Sequence, residues 1–355
     1  MDGSGLGSPQ SWRKGTGMTI VFAGGEIASF IPSIPGSGEY NGQYDHTYAR
    51  VDVFAEGHRD EIPQPNILGH FSASVIDFWT HIEWNSSIGE GIDIGWWPRI
   101  LWGGVDNTTR FRLLAREKPI DGAAPALKME YWDGGSFVQA GFPYAVEYID
   151  KQVFDVHIQL GSPGRIRVYN GGTKVIDSGD IFPVSPNIGG IEFMGAVSGF
   201  TGVGTLASQV IVADTCTIGW KLMTYVPSGA GNDSAWTGTY ADIDKVFDNY
   251  AATNIHTVTD NAVSNFAVTP ITAPDGSLIK GFIVTAYARK GLLGGPSNLQ
   301  MNMRTGGVNY FGTPFALDPA VLGPNITIWD TNPNTGLPWI DADLVGINVG
   351  AKAAP

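Results

Sequence analysis

The chain has 355 residues, 43% hydrophobic and 15% charged, which fits a folded protein of about two domains and excludes a disordered one. Its 21 basic against 34 acidic residues leave a net charge of −13, which argues against nucleic acid and anionic membrane as partners. The single cysteine, Cys216, excludes an intrachain disulfide and a cysteine-rich zinc site.

Residues 1–17 are rich in Gly and Ser and read as a flexible leader or an expression remnant. They hold no apolar signal segment. From there to residue 224, strand signals recur at short intervals. They fall over 49–55, 71–84, 127–132, 190–194 and 208–213. Phe111, Leu113 and Ala115 alternate with Arg110, Arg112 and Arg116, so apolar and cationic side chains take opposite faces of one strand. Val156, Ile158 and Leu160 alternate in the same way with Asp155, His157 and Gln159. Arg165-Ile166-Arg167-Val168-Tyr169 follows a Pro163-Gly164 turn and predicts a hairpin partner. Residues 193–213 are uncharged, but glycines and polar side chains break them into strand, loop and strand, so no membrane insertion is expected.

Residues 225–233 have the composition of a linker. Beyond it, 279–288 is a nearly continuous apolar run suited to a strand buried on both faces, and Leu299, Met301 and Met303 alternate with polar residues. Ile243, Val246, Phe247 and Tyr250 have helical spacing, but Asp242, Asp244, Asp248 and Asn249 weaken a helix there, so a loop with at most one turn is expected. No glutamate follows Glu192, and the aspartates that replace it favour turns. Cys216 reads as a core filler.

The unit Val153-Phe154-Asp155-Val156-His157-Ile158 beside Ile166-Arg167-Val168-Tyr169, closed by Ser208-Gln209-Val210-Ile211-Val212-Ala213, resembles the concanavalin A-like jelly roll of laminin-G, pentraxin and legume-lectin domains. The resemblance implies an all-β chain, with a jelly-roll sandwich over 18–224 and a second, smaller β-sandwich over 234–355. In that second half, Trp329, Asn332, Pro333, Thr335, Gly336, Pro338 and Trp339 lie in a turn segment flanked by two tryptophans, a structural C-terminal turn. This N-P-x-T-G-x-P-W run, with Trp236-Thr237-Gly238-Thr239-Tyr240 upstream, resembles the C-terminal module of structural proteins of tailed-bacteriophage virions. That resemblance implies a non-enzymatic virion component (capsid decoration, collar, tail or fibre). Its partners would be other virion proteins and copies of itself in a trimer or ring, with no nucleic acid. The alternative it leaves open is a lectin-like module binding a host surface glycan or receptor, with a glycan hydrolase third.

The jelly roll also hosts glycanases, whose E-x-D-x-E run points three carboxylates into one cleft. Here Glu90 and Asp93, or Glu147 and Asp150, are three apart and fall on opposite strand faces, so no enzyme is expected. Six histidines offer no metal-spaced pair, and His70, His81 and His157 read as surface or hydrogen-bonded residues. Asp106, Asn107 and Asp133 could give oxygens to a loop Ca²⁺, but plain turn residues are the favoured reading and no cofactor is expected. Trp79, Trp84, Trp96, Trp97 and Trp102 crowd one stretch. Because Trp96 and Trp97 are adjacent, one of them must face outward, so Trp96, Trp97 and Trp102 are candidates for a binding or subunit interface.

Overall fold

The computed structural model describes strands 17–22, 27–31 and 49–51 and most of the chain from residue 77 onward. The larger interruptions are at 88–95, 105–108, 117–123, 147–151, 184–187, 194–203, 244–253, 292–294 and 320–322. Every extended element among the described residues belongs to an antiparallel sheet, and the helical ones are single 3₁₀ turns at Tyr240–Asp242 and Asp341–Leu344. The chain is all-β. Strands are numbered β1–β22 in chain order, and the chain forms two compact units.

Unit 1 is a jelly-roll sandwich of two sheets. One runs β11 (Thr173–Asp177), β10 (Arg165–Asn170), β9 (Gln152–Gln159), β4 (Asp77–Ser87), β13 (Gly204–Ala213), β2 (Ile27–Ile31), with β3 (Ala49–Val51) also on β13. The other runs β12 (Ile188–Phe193), β5 (Trp96–Gly104), β6 (Thr109–Arg116), β7 (Ala126–Trp132), β8 (Phe137–Ala145). Alternation supplies the core. Phe78, Ile82, Phe154, Val156, Ile158, Ile166 and Val168 from the first sheet meet Ile100, Trp102, Phe111, Leu113, Leu127 and Met129 from the second, all fully buried. Each such side chain contributes roughly 1.5–3 kcal/mol by leaving water.

Unit 2 packs β14 (Lys221–Tyr225), β1 (Gly17–Phe22), β17 (Ile279–Ala288) and β21 (Gly323–Trp329) against a second sheet. That sheet is β15 (Pro227–Ser234), β16 (Val263–Val268), β22 (Asn348–Ala354), β18 (Asn298–Thr305), β19 (Val308–Phe311), with β20 (Phe315–Ala316) on β18. Phe282, Val284, Leu299, Met301, Met303, Trp339, Leu344, Ile347 and Val349 fill the space between the two sheets. Gly350 is required by close approach: a Cβ there would stand 2.0 Å from the Ser264 carbonyl of the neighbouring strand.

Three expectations are corrected. The stretch 225–233 is no linker, because it holds the end of β14 and most of β15, whose backbone pairs with β16. Residues 18–22 do not open the jelly roll. They lie in β1, inside unit 2's sheet between β14 and β17. Cys216 is exposed, not a core filler. Residues 1–16, and the helical-spacing segment beyond Ile243, lie outside the described residues.

The C-terminal turn is held by its own polar groups. Asn332, 1% exposed, accepts from Asn334 N through Oδ1 at 2.9 Å, while its carbonyl accepts from Thr335 N and Gly336 N at 3.1 and 2.7 Å. Its N–H donates to Leu337 O at 2.9 Å, and Thr335 Oγ1 accepts from Leu337 N at 3.2 Å. Gly336 takes φ of 71°, where a side chain would be strained. Pro333 sits half-buried inside this loop, and Pro338 bridges back to Thr331. Trp339 then turns inward, packs tilted at 60° against Phe282 with ring centres 4.2 Å apart, and donates its indole N–H to Trp329 O at 2.9 Å.

Replacing Trp339 with Ala should destabilise unit 2 by about 3–5 kcal/mol, through the lost core volume and the orphaned Trp329 carbonyl. Asn332→Ala should cost less, about 1–3 kcal/mol. Chemical denaturation of both variants checks the order.

Candidate functional site

The residues singled out from the sequence do not form one site. Trp102 is fully buried and donates from Nε1 to Thr80 Oγ1 at 3.1 Å across the sandwich, so it is a core residue and not an interface residue. Trp96 is half-buried on β5, with the Lys128 ammonium 4.8 Å over its ring. Trp97 is described by its backbone alone, opposite Ala115. Asp106 and Asn107 lie outside the described residues. Asp133 is an exposed turn residue whose Oδ1 accepts from Gly135 N and Ser136 N at 2.8 Å each, bonds that hold its carboxyl below the usual range. Among the described residues no three His, Cys, Asp or Glu side chains are placed to hold a metal ion.

The concentration of chemistry lies elsewhere, on the first sheet of unit 1. Register sets three rows across β4, β9 and β10: Asp77–Gln159–Arg165, Trp79–His157–Arg167 and His81–Asp155–Tyr169. Period two puts all nine side chains on the face opposite the core set of Phe78, Phe154, Val156 and Ile158. The three strands read in sequence as D-x-W-x-H, D-x-H-x-Q and R-x-R-x-Y. An E-x-D-x-E pattern does not reveal them, since it sets three acids on one strand while these groups are shared among three.

Four of the nine close a ring of hydrogen bonds. Asp77 Oδ1 accepts from His157 Nε2 at 2.5 Å, and Arg167 Nη1 donates to His157 Nδ1 at 3.0 Å and to Gln159 Oε1 at 2.8 Å. Gln159 Nε2 returns to Asp77 Oδ2 at 3.0 Å. A guanidinium can only donate, so Nδ1 presents its lone pair and the ring proton sits on Nε2. Trp79 lies flat against His157 at 4.2 Å and 7°, and Tyr169 stacks on Trp79 at 5.5 Å. Burial pushes the His157 pKa below its ordinary 6.5; the Asp77 bond and charge oppose this, and the Arg167 charge reinforces it. The imidazole is therefore neutral near neutral pH. Asp77 and Tyr169 stay partly open to solvent, so the face is reachable.

Beside the ring, His81 donates from Nδ1 to Asp155 Oδ1 at 2.8 Å, and the Thr217 hydroxyl donates to the same oxygen at 2.7 Å. All three are buried, so this trio forms a closed end to the same face. At the sheet edge Arg165 grips Asp177 through Nε and Nη2 at 2.7 and 2.8 Å, and Lys174 adds a third bond. These cations hold the Asp177 carboxyl well below the usual range, and Asp177 in turn raises Arg165.

No family model and no curated protein matches the chain. Among solved structures it is similar to alginate lyase Aly36B, at 11% identity over 56% of this chain and 97% of that one, with a TM-score of 0.33. It is similar also to the alginate lyase from Alteromonas sp.272, at 9% identity over 62% and 94% with a TM-score of 0.30. The binding domain of botulinum neurotoxin DC in complex with rat synaptotagmin II matches at 9% identity over 70% and 63%, with a TM-score of 0.28. These neighbours correct two expectations, that the chain is a non-enzymatic virion component and that it is no enzyme: Aly36B and the Alteromonas protein are alginate lyases, and nothing phage-related stands beside them. The likeness is one of architecture, so roles have to come from this chain's own residues.

Titrating His157 by NMR should give a midpoint below 6.5. Asp77→Asn should lower it further, since Asp77 favours the charged ring, and Arg167→Gln should raise it. The neutral form belongs to the fold, so this group's stabilisation is full above the unfolded pKa and fades as pH falls toward the folded one.

Proposed function

We propose that this protein is a glycan-degrading enzyme whose active surface is the polar face of β4, β9 and β10, and that it cleaves an acidic polysaccharide by β-elimination. The ring of Asp77, His157, Arg167 and Gln159 carries this reading. Elimination next to a uronate carboxylate needs that carboxylate neutralised, a base for the C5 proton, and an acid for the departing O4 oxygen.

Arg167 and Gln159 are placed to take the carboxylate, where their N–H groups draw charge out of it and acidify C5–H. When Arg167 turns to that anion it releases His157 Nδ1, whose lone pair becomes the base. The C5–H electrons form the C4–C5 double bond, the C4–O4 bond breaks, and the leaving oxygen takes a proton from the Tyr169 phenol. Asp77 keeps the Nε2 proton in place and stabilises the imidazolium that forms.

Hydrolysis fits the face less well. It calls for two carboxyl groups free to act as acid and base. Asp77 is bound to His157 and Gln159, and Asp155 is 1% exposed beneath His81 and Thr217.

Incubation with alginate, polygalacturonate and hyaluronan should release unsaturated ends from one of them, read as rising ultraviolet absorbance. His157→Ala should slow the release by about 10²–10⁴-fold, as for loss of a general base, with the fold retained. Reducing ends that appear without that absorbance would replace elimination with hydrolysis, and a folded protein inert on every polyuronate would remove the reading.

A further inference from the structure

The outward face of the second sheet of unit 1 carries a separate surface. Register sets Arg112 beside Glu130, Leu114 beside Lys128 and Trp132 beside Phe137. Glu130, 6% exposed, is held by Arg112 at 2.5 Å and Lys128 at 2.7 Å, so two cations share one carboxylate. The Arg112 guanidinium lies 3.8 Å over the Phe137 ring, and Trp132 meets Phe137 edge to face at 5.2 Å and 62°. Lys128 stands 4.8 Å over Trp96, and all three rings are half-buried. Arg110 and Arg116, each with contacts of its own, fall on the same strand face by alternation.

We propose that this aromatic and cationic face binds an acidic polysaccharide, as a second glycan surface on the far side of the sandwich core from His157. It rests on the functional reading above only for the choice of glycan. On a chain of net charge −13, this face is locally cationic, which selects an anionic partner by charge complementarity. The rings select its shape. Trp132, Phe137 and Trp96 lie low on the sheet, and the flat C–H face of a pyranose stacks on such rings while its carboxylate reaches Arg112 or Lys128. A nucleic acid is the poorer fit, because half-buried rings present one face each, which suits a single sugar ring better than a run of bases stacked in series.

The test measures binding of an alginate oligosaccharide to the full chain carrying His157→Ala, so that no cleavage intervenes. Adding Trp132→Ala with Phe137→Ala should weaken binding about tenfold or more, the loss of one ring contact and one fixed guanidinium. Lys128→Gln, which leaves Arg112 on Glu130, should weaken it by a smaller factor and serves if the double variant fails to fold. Binding unchanged by both substitutions, absent altogether, or displaced more readily by single-stranded DNA than by alginate overturns the proposal. Ring-dependent binding in a protein that cleaves no polyuronate would uphold this surface while removing the catalytic reading.

Discussion

A slip of one residue between β4 and β9 would turn Phe154, Val156 and Ile158 outward and press Asp155, His157 and Gln159 into the sandwich against Trp102 and Phe111. Burying charged or unpaired polar groups costs several kcal/mol each, so the register is fixed from both sides of the sheet at once. One side supplies apolar contact. The other supplies the hydrogen bonds among Asp77, His157, Arg167 and Gln159, which close only when Trp79 faces His157 and His157 faces Arg167. The core and the candidate active surface are therefore one decision about strand pairing, and β10 follows because its Ile166 and Val168 complete the same apolar layer.

Polar groups bury themselves in unit 2 by other means. Asn332 satisfies four backbone partners inside a single loop, so the C-terminal turn keeps its shape without help from a sheet ladder. Trp339 then ties that loop to Phe282, on the middle strand pair of the sheet that β1 enters. The first described strand of the chain and its last aromatic anchor thus belong to one unit, although hundreds of residues lie between them in sequence.

Much of the fold was legible in the sequence, because alternation reports the two faces of a strand directly. Phe111, Leu113 and Ala115, or Leu299, Met301 and Met303, could be assigned to a core before any partner was known. Partnership is what alternation does not carry. Nothing in residues 17–22 says that they enter the sheet of the far C-terminal half, and 225–233, with its Pro-Ser-Gly-Ala-Gly run, reads as a linker until its backbone is seen paired with β16. The candidate site was lost for the same reason. His157 alone is an ordinary strand histidine; it becomes a chemical group when Asp77 and Arg167, about eighty and ten residues away, are placed against its two nitrogens. Trp102 failed in the opposite direction. Its clustering with other tryptophans suggested a surface, while its indole N–H had a partner waiting in Thr80 across the core.

The closed ring on the polar face also bears on how the proposed base is held in the free protein. Trp79 and the burial around it exclude water from His157, which keeps the imidazole uncharged and strengthens the bonds it makes. In that state both ring nitrogens are engaged and no lone pair is free. A carboxylate is a far better partner for Arg167 than an uncharged nitrogen, because both charges then meet where screening is weak. On the proposed reading its arrival would draw the guanidinium off Nδ1 and set an acidified C–H beside the nitrogen just vacated. One event would then recognise the anion and make the base, and a neutral sugar, having nothing to offer Arg167, would do neither.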